Sequence, residues 1–95
     1  MPYNSLKVEF DPVKDIENRI DHDPLAFGAE VLSDPDRLDI FDIRFDYAET
    51  RVIAHGRVED RLWICVFVRR GDVHRIISVR KANEREQRRY RNTPP

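Results

Sequence analysis

Seven consecutive apolar residues, Leu62 to Val68 (LWICVFV), constrain this chain more than any other feature. The run is far shorter than the roughly 18 apolar residues that a membrane-spanning helix needs. It is almost wholly apolar and flanked by polar residues, which fits a central β-strand buried on both faces. Such a strand requires neighbours on either side and a cover over the sheet. Trp63, Cys65 and Phe67 share one parity within it and are read as core, not as a platform on which bases stack. Cys65 is the single cysteine, so an internal disulfide is excluded and a cysteine metal site nearly so.

The neighbours of this strand are legible on both sides. Arg51 to Arg57 alternates, with Val52, Ala54 and Gly56 on one face and Arg51, Ile53, His55 and Arg57 on the other. Arg70-Gly71-Asp72 supplies a hairpin turn, and Val73 to Val79 forms a last strand. Leu38 to Phe45 reads as a further, irregular strand, and Lys7 to Phe10 as a short one. Asp11-Pro12 opens a first helix, because Asp caps free amides and Pro at the first helical position loses no hydrogen bond. It runs from about Pro12 to Ile20, with Val13, Ile16 and Ile20 on one face, and is expected to cover an apolar surface. Asp23-Pro24 opens a second, with Leu25, Ala29 and Leu32 on a face widened by Phe27 and Val31, closed by Ser33 to Asp36. Asn83, with Glu86 at the capping-box position, begins a C-terminal helix.

The expected class is α+β: two N-terminal helices packed on one face of an antiparallel three- to four-stranded sheet, with a short C-terminal helix. The opposite face is left free for a ligand. At 95 residues and 40% apolar content the chain reads as one domain, 1–95, with residues 1–5 and 92–95 frayed. Met1 to Phe10 has neither a basic start nor an apolar stretch, so the expected location is the cytoplasm.

The net charge of −1 conceals a polarity along the chain. Arg69 to Arg91 carries nine basic residues (Arg69, Arg70, Arg75, Arg80, Lys81, Arg85, Arg88, Arg89 and Arg91) against three acidic ones, net +6, and the remainder carries −7. A basic C-terminal third suits a polyanion, although a solvated arginine-rich helix explains the same charges.

Arg75-Ile76-Ile77-Ser78-Val79-Arg80-Lys81-Ala82-Asn83, followed by Glu86 and Tyr90, resembles the RIIS-x-R-K-A signature of the BrnT toxins, bacterial toxin–antitoxin ribonucleases with a RelE-like fold. Phe10-Asp11-Pro12 with Lys14 and Asn18, then Asp34-Pro35, then Tyr47, Glu49 and Arg51 ahead of Gly56 and Arg57, extend the resemblance from Val8 to Tyr90. Asp21-His22-Asp23 stands where the family usually has Lys-His-Gly, Ala48 where it has Gly, and Phe67 where it commonly has Tyr.

The resemblance implies cleavage of mRNA without a metal or other cofactor. It also implies a BrnA-like ribbon-helix-helix antitoxin as partner, through which DNA is met only indirectly. The chemistry needs a base for the ribose 2′-hydroxyl, cations for the phosphorane and an acid for the 5′-oxygen. Catalytic candidates are Glu49, Arg51, His55, Arg75, Arg80, Lys81 and Tyr90. Candidates for RNA binding are Arg69, Arg70, His74, Arg85, Arg88 and Arg89. Arg75 and Arg80 are five positions apart and would face opposite sides of a regular strand, so both reach one phosphate only if the strand bends or ends. His55 and His74 are candidates to approach one another across the sheet. His22 between two aspartates matches no usual structural-metal spacing and is read as loop. Two other readings stand beside the nuclease: a binding module of the same fold with weak or no activity, and an interaction domain whose arginine helix meets an acidic partner.

Overall fold

The computed structural model describes residues 6–21, 24–43 and 49–93. The elements are β1 (Lys7–Phe10), α1 (Pro12–Asp21), a 3-10 turn (Leu25–Phe27), α2 (Gly28–Leu32), β2 (Leu38–Asp42), β3 (Arg51–Val58), β4 (Arg61–Arg70), β5 (Val73–Lys81) and α3 (Glu84–Asn92). They form a five-stranded sheet in the order β1-β5-β4-β3-β2. The apolar run lies inside β4, at the sheet's centre. The expectation of an antiparallel three- to four-stranded sheet is corrected in two respects. β1 joins the sheet as a fifth strand, and it pairs with β5 in parallel, Glu9 opposite Arg75. That pairing joins residues more than sixty positions apart, beyond the reach of any local pattern.

One face of the sheet carries the main core. Leu25, Val31 and Leu32, from the 3-10 turn and α2, pack on Val52, Ala54, Trp63, Cys65, Phe67, Ile76 and Val79. Gly56 permits this closeness, since a Cβ there would stand 2.1 Å from the Val31 carbonyl oxygen. The second helix is therefore shorter than its apolar spacing suggests, a 3-10 turn followed by five helical residues. Its expected opening at Asp23 lies outside the described residues, as do Phe45 at the end of the expected Leu38–Phe45 strand and the 44–48 segment. Gly71, at φ +65°, makes the β4–β5 turn.

α1 departs most from expectation. Val13 and Ile16 are each 62% exposed, and the inward side of the helix is polar. Asp15 accepts a hydrogen bond from the Leu25 amide at 2.7 Å, and Asn18 donates to the Val79 carbonyl at 3.0 Å. Both side chains are buried. The helix docks by satisfying an amide of the 3-10 turn and a carbonyl of β5, which apolar side chains cannot do, so Val13 and Ile16 face outward. The Asp11 carboxylate caps it, accepting from the Val13 amide at 2.9 Å.

α3 begins as expected, in a capping box. The Asn83 side chain accepts from the Glu86 amide, and the Glu86 carboxylate accepts from the Asn83 amide. Asn92, expected in a frayed tail, is the last residue of the helix. α3 lies on the second face of the sheet, where Tyr90 packs against Leu62, Ile64 and Ala82.

Candidate nucleic-acid interface

The second face owes its character to one extra residue in β5. Phe67 pairs with Ile76 and Val66 with Ser78, which leaves Ile77 unpaired in a β-bulge. A bulge shifts side-chain parity by one. Arg75 stands opposite Val68 and Arg80 opposite Ile64, two residues of the same parity on β4, so both arginines lie on one face. The limit set by five-residue spacing is lifted by the bulge.

Register then assembles two rows on that face. The first crosses all five strands, Glu9, Arg75, Val68, Arg51 and Asp42, placing a cation on each side of Val68 and a carboxylate outside each cation. With strands about 4.8 Å apart, the Arg75 and Arg51 backbones stand about 10 Å apart. The second row is Arg80, Ile64, His55 and Leu38. It lies four residues along β3 from the first, about 13 Å. Half-buried Ile53, Val66 and Ser78 form the floor between them.

α3 closes the end of the floor at the second row. Arg80 grips Glu86 through two parallel bonds of 2.8 and 2.7 Å, so the carboxylate that caps α3 also ties it to β5. Burial pushes the Glu86 carboxyl up, but the Arg80 fork and the Asn83 amide together outweigh it and hold the group below its usual range. His55 has no exposed surface. Its Nδ1 lies 3.2 Å from the Leu38 carbonyl and its Nε2 3.3 Å from an Arg89 nitrogen that can only donate. The neutral tautomer with its proton on Nδ1 satisfies both, and burial lowers the pKa accordingly. Tyr90 donates to Asp34 at 2.7 Å, and Arg57 sits 5.6 Å above its ring. Asp34 also accepts from the Arg57 amide at 2.7 Å, joining α3 to β3 and to the turn after α2. The outer side of α3 exposes Arg85 and Arg88, neither in an ion pair among the described residues.

The first row is more open. Arg75 donates to Glu9 at 2.5 Å, and Arg70 grips Glu49 at 2.9 and 2.8 Å. The hydrogen bond from Arg70 leads in holding the Glu49 carboxyl below its ordinary value, and the charge of Arg75 adds to it. Glu49 therefore belongs to a cluster with Arg70, Arg75 and Glu9. Between this row and α1 runs a groove of about 480 Å³, lined by Lys14, Glu17 and Asn18 from the helix and by Arg51, Arg75 and Ser78 from the sheet.

Three candidates lie elsewhere. His74 shares the core face with Phe67, its ring 5.1 Å away and its Nδ1 3.2 Å from the Lys7 carbonyl. It cannot meet His55, because β4 separates β5 from β3 and the two rings are on opposite faces. Arg69 pairs in register with His74 and shares its face. Lys81 also points there, 5.9 Å over the Trp63 ring, and so parts from its neighbour Arg80. Sequence reasoning omits Glu9, Lys14 and Ser78 from the site and takes Glu86 as a cap and a signature residue, since parallel β1 brings in Glu9, the docked α1 brings in Lys14 and the bulge turns Ser78 to this face. The side chains of Asp21-His22-Asp23, and Tyr47 with Ala48, lie outside the described residues.

An α+β chain with one sheet face packed and the other lined by arginine rows is the frame on which the family comparison falls. A family model described as "Ribonuclease toxin, BrnT, of type II toxin-antitoxin system" matches residues 10–86, and the chain belongs to that family. It is a ribonuclease toxin of the type II toxin–antitoxin class, with RNA as its target and an antitoxin as its partner. No curated protein matches the chain. Among the described residues no helix is long and apolar enough to cross a membrane.

Proposed function

We propose that the chain is a metal-independent endoribonuclease whose reaction takes place at the first row of the open sheet face. The observation that carries this is the β3–β4–β5 register, which from the Gly71 turn sets Arg75 opposite Val68 and level with Arg51, within electrostatic reach of Glu49. Arginine offers planar, two-point donors to phosphate oxygens. Arg75 and Arg51 stabilise the charge that builds on the phosphorane. Glu49, ionised at neutral pH, accepts the proton of the ribose 2′-hydroxyl as its oxygen attacks phosphorus. The bond to the 5′-oxygen breaks, that oxygen takes a proton from water, and a 2′,3′-cyclic phosphate remains. Arg85 and Arg88 on α3 meet backbone phosphates further along the strand. The antitoxin is of the BrnA-like ribbon-helix-helix kind, covers the basic face and supplies the only contact with DNA, and the pair acts in the cytoplasm.

The test is incubation of partner-free protein with end-labelled RNA in EDTA, beside Arg75→Ala and Glu49→Gln. Fragments with cyclic phosphate ends from the wild type, reduced at least ~100-fold in both variants, are expected. Wild-type cleavage undiminished in both would move the reaction elsewhere. One observation favours a weaker catalyst that acts through binding: Arg70, Arg75 and Arg80 are each already paired with a carboxylate. RNA bound in a salt-dependent manner but recovered intact would establish that second reading.

A further inference from the structure

One wall of the groove under α1 is formed by Arg75 and Arg51 of the reaction step above, whereas Lys14 on the other wall has no part in that step. We infer that the groove is a binding subsite for the RNA backbone, and that Lys14 is a phosphate-contacting residue in it. The inference rests on RNA being the ligand of this face and adds a residue and a path for the strand.

Three observations support it. First, the groove brings Lys14, from the first turn of α1, into one concave surface with Arg51 and Arg75, two cations that β3 and β5 present from the sheet. Second, Lys14 is only loosely held. Among the described residues its one ion pair is with Glu17 at 3.6 Å, both side chains 62% exposed, a contact that a phosphate displaces at little cost. Arg75 commits one terminal nitrogen to Glu9, and a guanidinium has five N–H donors, so the pair fixes the arginine while leaving donors for a phosphate. Third, the Ile77 bulge turns Ser78 to the face that carries Arg75, placing a hydroxyl on the groove's sheet wall. The groove of about 480 Å³ has Lys14 on its helix wall with the carboxylates of Asp11 and Glu17, and Arg51, Arg75 and the Ser78 hydroxyl on its sheet wall, which suits a sugar–phosphate unit whose phosphate lies toward the three cations. α1 is placed for this by its polar docking, because Asp15 bonds the 3-10 turn and Asn18 bonds β5, which leaves Lys14 beside the groove.

The strand path follows from the floor's two ends. RNA enters beside Lys14, passes Arg75 and Arg51 at the reacting phosphate, crosses half-buried Ile53 and Val66, and leaves along Arg85 and Arg88 of α3. Lys14 therefore acts on the phosphate next to the one cleaved.

The probe is a 2′-O-methylated oligoribonucleotide, which binds but lacks the attacking hydroxyl, titrated against wild type, Lys14→Gln, Lys14→Arg, Glu17→Gln and Arg61→Gln over a range of salt. Arg61 lies on β4 beside Trp63 and lines a cleft with Phe27 on the packed face, so its variant controls for net charge. Lys14→Gln is expected to weaken binding about fivefold and to reduce the log–log salt slope by about 0.7, the value of one phosphate contact on a single strand. Lys14→Arg restores both, Glu17→Gln tightens binding about twofold, and Arg61→Gln leaves the slope unchanged. A Lys14→Gln slope equal to wild type, or equal loss in Arg61→Gln, overturns the subsite whether or not the protein cleaves RNA. The reduced slope in a protein that leaves unmodified RNA intact keeps the subsite and removes only the nuclease.

Discussion

The Arg80–Glu86 fork makes a prediction that separates holding α3 in place from touching RNA. Arg80 is 35% exposed and Glu86 11%, and the two bonds are short and parallel. A fully exposed pair contributes about 0.2–1 kcal/mol, and a charge-assisted bond away from solvent about 1.5–3 kcal/mol. Discounting for the solvent that reaches Arg80, we place the coupling near 1.5 kcal/mol. Arg80→Ala leaves a buried carboxylate with its Asn83 bond alone and costs about 2 kcal/mol. Glu86→Ala loses the fork and the carboxylate's bond to the Asn83 amide, while the Asn83 side chain still caps the amide of residue 86, and costs about 3 kcal/mol. The double variant then costs about 3.5 kcal/mol rather than the sum of the two. At about 4–8 °C per kcal/mol for a domain of this size, the single changes lower Tm by at least ~8 °C, read by circular dichroism, and amide exchange in α3 rises in both. RNA cleavage, measured below the melting range, should fall equally in the two variants. A coupling below ~0.5 kcal/mol would show that the fork does not hold the helix. Cleavage lost in Arg80→Ala and retained in Glu86→Ala would show that Arg80 contacts the substrate itself.

Stability should also depend on acid in a defined direction. Glu86 and Asp34 both sit below their ordinary values in the folded chain; at Asp34 burial acts upward and is outweighed by bonds from the Arg57 and Asp36 amides and the Tyr90 hydroxyl. Their contribution is complete above the unfolded values near ~4 and is lost as pH falls through the folded ones, so a steep drop in Tm is expected below about pH 4, preceded by a gentler fall below about pH 6.5 as the unfolded chain protonates His55, whose folded pKa burial lowers. Replacing Asp34 with Asn should flatten that drop, and an unchanged pH profile would remove Asp34 from the account. The two glycines differ in kind: Gly56→Ala drives a Cβ into the Val31 carbonyl, whereas Gly71→Ala meets open space and pays only for its positive φ. Urea titration should show the first costing at least ~2 kcal/mol and the second about 1 kcal/mol, and equal costs would place α2 further from β3 than the structure does.

Several features were determined by local sequence alone. The apolar run from Leu62 to Val68 made the central strand, Arg70-Gly71-Asp72 its turn, and Asn83 with Glu86 the helix that follows, because each depends on residues within a few positions of one another. The charge polarity was legible in the same way, and so was the family signature from Arg75 to Asn83. What tertiary structure decided was the meaning of those residues. Arg75 and Arg80 share a face only because Ile77 bulges against β4, and no residue type near Ile77 announces it. The stripe of Val13 and Ile16 has helical spacing yet faces outward, because the Leu25 amide of the 3-10 turn and the Val79 carbonyl of β5 bind Asp15 and Asn18 instead. Lys81 and His74 have the right chemistry and fall on the packed face. Glu9 reaches Arg75 through a parallel pairing across most of the chain, and Glu86 reaches Arg80 only because β5 ends beside α3. Residue type and spacing set which groups are available, whereas register and long-range pairing set which of them meet.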